Sequence, residues 1–344
     1  MRIVLFEFVS GGGWWKIDPT GRPPPSLLRE GKTMLAALAA DFATIPDTQV
    51  TLFQDRRVKR PVELHGVETI IIDRPVELFR KCVALAPQVD YGIIIAPELE
   101  GHLEDWAVKW VLLEGTLLSP GAEFIRIAAS KHQTAQRLAA AGVPVPEGIA
   151  LAWPDKLPAD FPYPGVLKRD DGAGSDGVIY VEEPRDGRAK RRIAASDWRL
   201  ERYCPGLPAS VAVLAGPKQN LVLPACLQWL SSDKKFRYQG GMTPLDAELN
   251  ARAKRLAVQV IAAMPATTGY YGIDLVLGDA ADGSRDVVIE INPRLTTSYV
   301  GLRAIAKQNL AQAMVAVARG ESCDLSFDER RVQFTNDGQI VELS

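Results

Sequence analysis

Close to the C-terminal end of the sequence, two β-branched runs place acidic side chains where a cation could be held. Gly272–Leu277 and Val287–Asn292 read as antiparallel strands around a turn containing Asp282-Gly283. With Asp282 at the turn centre, Leu277 falls opposite Val287, Val276 opposite Val288 and Asp274 opposite Glu290. Because side chains alternate along a strand, Asn292 shares the face of the two carboxylates, and Ile273, Leu275, Leu277, Ile289 and Ile291 form an apolar opposite face. Directly opposed carboxylates repel unless a cation lies between them. Asp274, Glu290 and Asn292 together are hard oxygen ligands suited to Mg²⁺ beside phosphate oxygens, with Mn²⁺ able to substitute. The plain alternative is a pair of carboxylates fanned into solvent on a hairpin. Pro293-Arg294 weighs against it, since proline ends the strand and arginine adds a fork-shaped cation beside the proposed metal.

A second group of residues suits phosphate. Val166-Leu167-Lys168-Arg169 reads as a strand, followed by the glycine-rich stretch Asp170–Gly177 and a second strand, Val178–Glu182. A lysine beside unhindered backbone N–H groups, here those of Gly172, Gly174 and Ser175, can hold polyphosphate: the amides form an anion nest and the ammonium supplies a point charge. No Walker A pattern is present, because the loop joins strands and lacks G-K-[ST] at the required spacing. On its own the stretch is equally an ordinary flexible hairpin. Gly172–Gly177 carries too little side chain to pack and is expected to act as a lid over phosphates. Lys131, at a helix start, is on its own a solvated surface lysine. In Leu200–Gly206 a strand that runs out at Pro205 exposes a C=O and an N–H able to pair with an adenine edge, and the alternative is an edge strand entering a turn.

The elements that must position these residues follow from periodicity. Arg2–Val9, Gln49–Phe53, Thr69–Ile72 and Tyr91–Ile95 read as strands, interleaved with helical stretches at Leu27–Phe42 and Val76–Leu85, the rhythm of βαβ units around a parallel sheet. Gly11-Gly12-Gly13 lacks the G-x-G-x-x-G spacing of a dinucleotide site, which argues against a nicotinamide-dependent dehydrogenase. A boundary falls near Pro120–Phe124, and Lys131–Ala141 reads as a helix closed by Gly142. Strands at Ser210–Leu214 and Leu221–Leu227, a helix over Asp246–Ala263 and a last helix over Leu302–Arg319 complete the pattern. The expected units are 1–122, an α/β domain; 123–199, with the glycine-rich stretch; 200–325, with the acidic strands; and 326–344, a polar tail.

Composition bounds the function. The 344 residues are 47% hydrophobic and 24% charged with a net charge of −2, which supports large cores and supplies no general attraction to nucleic acid. The basic clusters Arg56–Arg60 and Lys190-Arg191-Arg192 read as solvated surface. Cys82, Cys204, Cys226 and Cys323 form no C-x-x-C pair, so a thiolate metal site or a disulfide framework is not expected, and a reducing cytoplasm is. No apolar run approaches the ~20 residues of a spanning helix, and no targeting segment is expected.

The order Ser130-Lys131, Leu167–Gly177, Glu201-Arg202-Tyr203-Cys204-Pro205-Gly206, Gly272-Ile273-Asp274 and Glu290-Ile291-Asn292-Pro293-Arg294 resembles the ATP-grasp superfamily over about Pro120–Gly320. The resemblance implies an α/β N-terminal domain followed by two α+β subdomains that clamp ATP. It implies phosphate contacts from Lys131 and Lys168, nucleotide contacts from Gly172, Gly174, Ser175, Glu201 and Cys204, and two Mg²⁺ ions on Asp274, Glu290 and Asn292. Many members carry a ribose-binding Glu where this sequence has Pro208. Phe6–Gly13 and Asn292–Gly301 are similar to ligases of methanofuran-type cofactor synthesis, which implies an ATP-dependent carboxylate–amine ligase joining glutamate to tyramine or tyrosine through an acyl phosphate. Arg294 and Lys168 are then the catalytic candidates, and Arg294, Thr297 and Ser298 the substrate candidates. Trp14 or Trp15 could stack an aromatic acceptor or simply anchor the loop. The expected partners are small-molecule carboxylates and amines, with no nucleic acid or membrane, and a homodimer is possible. Two other readings are another amino-acid or peptide ligase of the same superfamily and a non-catalytic ATP-binding module. The latter has no need of both carboxylates and Arg294.

Overall fold

A computed structural model describes residues 1–59, 64–152, 156–172, 177–184 and 197–342. The N-terminal part alternates strand and helix: β1 (Arg2–Glu7), α1 (Pro25–Ala43), β2 (Gln49–Asp55), β3 (Val67–Ile72), α2 (Pro75–Leu85), β4 (Tyr91–Ile95) and α3 (His102–Leu112). All four strands run parallel in the order β3-β2-β1-β4. The run Ile3–Phe6 is buried throughout because β1 is central and covered on both faces. Helix α1 opens with proline at N1, where a missing N–H costs nothing, and turns Met34, Leu35, Leu38, Ala39 and Phe42 inward.

Helices α4 (Ala122–Ala129) and α5 (Lys131–Ala140) lead to a small antiparallel sheet, ordered β5 (Gly148–Leu151), β8 (Trp198–Arg202), β6 (Gly165–Arg169) and β7 (Ile179–Val181). The larger sheet runs β14 (Val287–Asn292), β13 (Gly269–Leu277), β9 (Leu207–Ala215), β11 (Cys226–Leu230), β12 (Tyr238–Thr243), β15 (Val332–Thr335) and β16 (Ile340–Glu342), with β10 (Asn220–Val222) also on β9. Helices α6 (Ala247–Ala263), α7 (Ser298–Ile305) and α8 (Leu310–Ala318) pack against it. One core joins the two ends of the chain: Leu35 and Phe42 of α1 pack with Leu302, Met314 and Phe334. The clasp is also polar. Tyr299 Oη donates to Asp41 Oδ2 at 2.6 Å and Arg303 Nε to Asp41 Oδ1 at 3.0 Å.

Four expectations change. The helix foreseen over Leu302–Arg319 is two helices, because Asn309 takes an extended conformation and its side chain accepts the Gln312 N–H at 2.9 Å, starting α8 afresh. The strand foreseen over Leu221–Leu227 divides at Pro224, which lacks a ladder donor. Val332–Thr335 and Ile340–Glu342, in the tail that the sequence left without assigned elements, extend the large sheet through β12.

The fourth change is one of register. Asp274 does pair with Glu290, but Leu275 pairs with Val288 and Val276 with Val287, so Ile289 has no partner and forms a bulge. The extra residue reverses alternation beyond it. Val288 is 1% exposed in the core, and Ile289 faces the cleft instead of joining the apolar face.

Candidate active site

A cleft lies between the face of the large sheet and the small sheet. Its floor carries Ser210 and Pro208 of β9, Gln228 of β11, Asp274 of β13, and Glu290 and Asn292 of β14. Its roof carries Val166 and Lys168 of β6 with Glu201 of β8, and Tyr203 and Cys204 beyond that strand. Arg294, Thr296, Thr297 and Ser298 line the end nearest the N-terminal domain, which contributes Glu30 of α1.

Asp274 is held from two sides: Gln228 Nε2 donates to Oδ1 at 2.9 Å and Asn292 Nδ2 to Oδ2 at 3.0 Å. Burial, then the neighbouring Glu290, push its carboxyl up to about 7, and those two amide donors offset only part of the rise. Burial also acts to raise Glu290, but Lys131 and Lys168 outweigh it and hold that carboxyl below its usual value. Lys131 Nζ lies 3.4 Å from Glu290 Oε2 and donates to the Gly172 carbonyl. These two carboxylates of unlike proton affinity, with the Asn292 side chain on the same face, fit a hard divalent cation. Among the described residues no cluster of three or more His, Cys, Asp or Glu side chains stands as another metal site.

Lys168 is buried and paired with Glu201 at 2.6 Å. Glu201 in turn meets Arg199 Nε at 3.0 Å, and Arg199 reaches His132 Nδ1 at 3.1 Å and the Pro146 carbonyl at 3.0 Å. The pairing of Lys168 with Arg199 and of Val166 with Glu201 across β6 and β8 puts the whole row on one face. Lys131 is positioned from its backbone. Ser130 Oγ accepts the Gln133 N–H at 3.1 Å, and Asp170 accepts the His132 N–H at 2.7 Å and the Ser130 hydroxyl at 2.6 Å, so the chain after β6 caps α5.

Arg294 leans toward the N-terminal domain, its Nε 3.1 Å from Glu98 Oε1. Glu98 follows the carboxyl end of β4. Thr296, Ser298 and Tyr270 share hydroxyl contacts of 2.8 to 3.2 Å, and Thr297 and Ser298 are buried at the cleft wall.

The structure therefore gathers Lys131, Lys168, Glu201, Asp274, Glu290, Asn292 and Arg294 at one place, with Cys204, Thr297 and Ser298 on the same cleft. Gly172 meets the site through its carbonyl, which accepts from Lys131, and not through an anion-facing N–H, since that N–H donates to the Arg169 carbonyl at 3.2 Å. Gly174 and Ser175, most of the expected lid, and the Lys190–Arg192 cluster lie outside the described residues. Two backbone donors of the expected adenine edge are already engaged: Arg202 N bonds the Glu147 carbonyl and Tyr203 N the Pro164 carbonyl. Pro208 lines the cleft floor. Trp14 packs into the N-terminal core and Trp15 lies under the Arg57 guanidinium at 3.5 Å, so both tryptophans anchor their loop and neither lines the cleft.

Glu98, Gln228, Arg199 and Glu30 were not singled out from the sequence. Glu98 had a usable signal, a carboxylate just past the carboxyl end of an α/β strand, where such sheets admit ligands. Glu30 had none.

Against known proteins, the model for the ATP-grasp domain matches residues 128–298, the stretch that holds Lys168, Glu201, Asp274, Glu290, Asn292 and Arg294. The chain carries an ATP-grasp domain. A tyramine–L-glutamate ligase from Methanocaldococcus jannaschii is 25% identical over 97% of this chain and 94% of its own length. A D-alanine–D-alanine ligase from Desulforudis audaxviator is 28% identical over 73% of this chain and 86% of its own. Among solved structures, an N5-carboxyaminoimidazole synthetase from Staphylococcus aureus complexed with ADP superposes with a TM-score of 0.68 at 16% identity, covering 97% of this chain and 81% of that one. An L-amino acid ligase from Bacillus licheniformis gives 0.67 at 15% identity over 96% and 78%. The likeness of fold to these two structures extends over nearly the whole chain, including the parallel N-terminal sheet.

Proposed function

We propose that this ATP-grasp enzyme is a carboxylate–amine ligase that joins glutamate to an aromatic amine, tyramine or tyrosine, through an acyl phosphate, in the cofactor synthesis that its sequence resemblance implies. The observation that carries the reading is the cleft end where Asp274 and Glu290 oppose each other between the cations of Lys131, Lys168 and Arg294. Phosphoryl transfer needs little covalent chemistry from a protein and much charge placement.

A carboxylate oxygen of the substrate attacks the γ-phosphorus of ATP and ADP leaves; the amine nitrogen then attacks the acyl carbon and phosphate leaves. Asp274, Glu290 and Asn292 would hold Mg²⁺, which when bound neutralises phosphate charge. Lys168 and Lys131 hold the phosphates from roof and floor, and Arg294 stabilises the oxygens of the transferring group. Thr297 and Ser298, buried beside Arg294, grip the polar groups of the carboxylate substrate. A carboxylate fits this end, where Arg294 offers it a cation. The names of full-length relatives support glutamate and tyramine over other pairs.

The test is ADP release across a panel of amino acids and aromatic amines, with the amide identified by mass. Glutamate- and amine-dependent ADP release is the expected result. Turnover without glutamate, or a clear preference for D-alanine, a purine intermediate or bicarbonate, overturns the substrates.

A further inference from the structure

Five carboxylates stand in or at this cleft, and four are already engaged. Asp274 and Glu290 form the metal face, Glu201 is neutralised by Lys168 and Arg199, and Glu98 by Arg294. Glu30 makes no hydrogen bond and no ion pair with any described residue, although it is half-buried in the cleft wall. Arg294 and Arg29 act on it only from a distance.

Its placement is built in. Helix α1 approaches β1 closely at the next residue, Gly31, where a Cβ would lie 2.5 Å from the Glu7 carboxyl. Eleven residues further along, about 16 Å of helix, Asp41 ties α1 to Tyr299 and Arg303 just beyond the Thr296–Ser298 wall. The carboxylate is therefore carried on a rigid element anchored to the same segment that follows the metal strand.

An amine reaches a ligase mostly as its ammonium, which has no lone pair to attack with. The cleft must bind that cation and remove a proton from it. The cations Lys131, Lys168 and Arg294 cannot do either, and the metal-face carboxylates are committed.

We infer that Glu30 receives the ammonium of the attacking amine and takes its proton. In that step one N–H proton passes to the Glu30 carboxylate, the nitrogen lone pair forms the C–N bond, and the C–O bond to phosphate breaks with its electrons. The second N–H proton leaves with the phosphate. The assignment rests on the ligase reading above, and places the acceptor on the N-terminal domain's side of the cleft.

Hydroxylamine tests it, because it is a neutral nucleophile at neutral pH and traps an acyl phosphate as a hydroxamate without needing a base to unmask it. With ATP, Mg²⁺ and glutamate, the wild-type protein is expected to give hydroxamate with hydroxylamine and amide with tyramine. In Glu30→Gln, amide formation is expected to fall by roughly 100-fold while hydroxamate formation stays within about twofold. Glu30→Asp should show the same imbalance more weakly, so the ratio can be read even if one variant folds poorly. Unchanged amide formation in Glu30→Gln overturns the assignment, as does a parallel loss of hydroxamate, which would place Glu30 on the carboxylate substrate. A wild-type protein that yields no hydroxamate with any amino acid instead sinks the ligase reading itself.

Discussion

Arg294 and Glu98 meet across the junction between the N-terminal domain and the acidic strands, with Nε and Oε1 3.1 Å apart and side chains 14% and 5% exposed. The guanidinium proposed to face the reacting phosphate is thus held by a domain that contributes none of the proposed metal ligands. Glu98→Gln leaves a buried arginine without its counter-charge, a loss of about 3 kcal/mol. Turnover is expected to fall further than ATP affinity, read as a drop in kcat with little change in KM for ATP. Equal stability and kcat in the variant would contradict the coupling.

Asp274 makes the proposed metal site pH-sensitive. Its carboxyl, raised to about 7 by burial and Glu290, holds a proton more tightly folded than unfolded, where the value is about 4. In the metal-free protein its contribution to stability is full below about pH 4 and is lost as pH rises through about 7. A divalent cation competes with that proton, so the thermal stabilisation by Mg²⁺ should be larger near pH 8 than near pH 5. Asp274→Asn should abolish this difference. A Mg²⁺ shift that does not change with pH would count against the assignment.

The Lys168–Glu201–Arg199 row predicts an unusual pairing of effects. Glu201→Gln leaves two buried cations sharing no anion, which costs about 3 kcal/mol in the nucleotide-free protein. The same change frees Lys168 for phosphate, so the rise in melting temperature on adding ATP should exceed that of wild type. Lys168→Met should remove most of that rise. If Glu201→Gln responds less to ATP than wild type does, the row does not work as described.

Tyr299→Phe separates architecture from chemistry. The Tyr299 hydroxyl donates to Asp41 in a buried site, and neither side chain lines the cleft; its loss is expected to destabilise by about 2 kcal/mol. ATP affinity should be unaltered at a temperature where the variant is folded. Equilibrium unfolding and nucleotide titration check the two halves separately.

Much of the site could be read in advance because it lies on strands, where a period of two converts spacing into facing. Asp274 opposite Glu290, with Asn292 beside them, follows from that period alone, and so does Lys168 on a strand before a glycine-rich stretch. The bulge at Ile289 could not be read, since an extra residue in a β-branched run leaves no mark on composition. Glu30 was invisible for a different reason. It is one acid among 42 Asp and Glu residues, and only tertiary packing brings it to a cleft whose floor strands begin at Leu207. In the N-terminal domain the strands and helices were plain from βαβ rhythm, whereas the tail strands β15 and β16 are only four and three residues long, and exist because β12 offers them an edge.

The bulge carries an implication for how length variation would act on this protein. Ile289 is the spare residue of β14: removing it would leave Val287, Val288, Glu290, Ile291 and Asn292 against the same neighbours on β13. A one-residue deletion there is thus compatible with the hairpin and with the facing of the acids. What it takes away is a carbonyl, the Ile289 oxygen to which Lys168 Nζ donates across the cleft at 3.4 Å. Shortening the strand by that single step would keep the floor of the cleft in register and detach it from the roof.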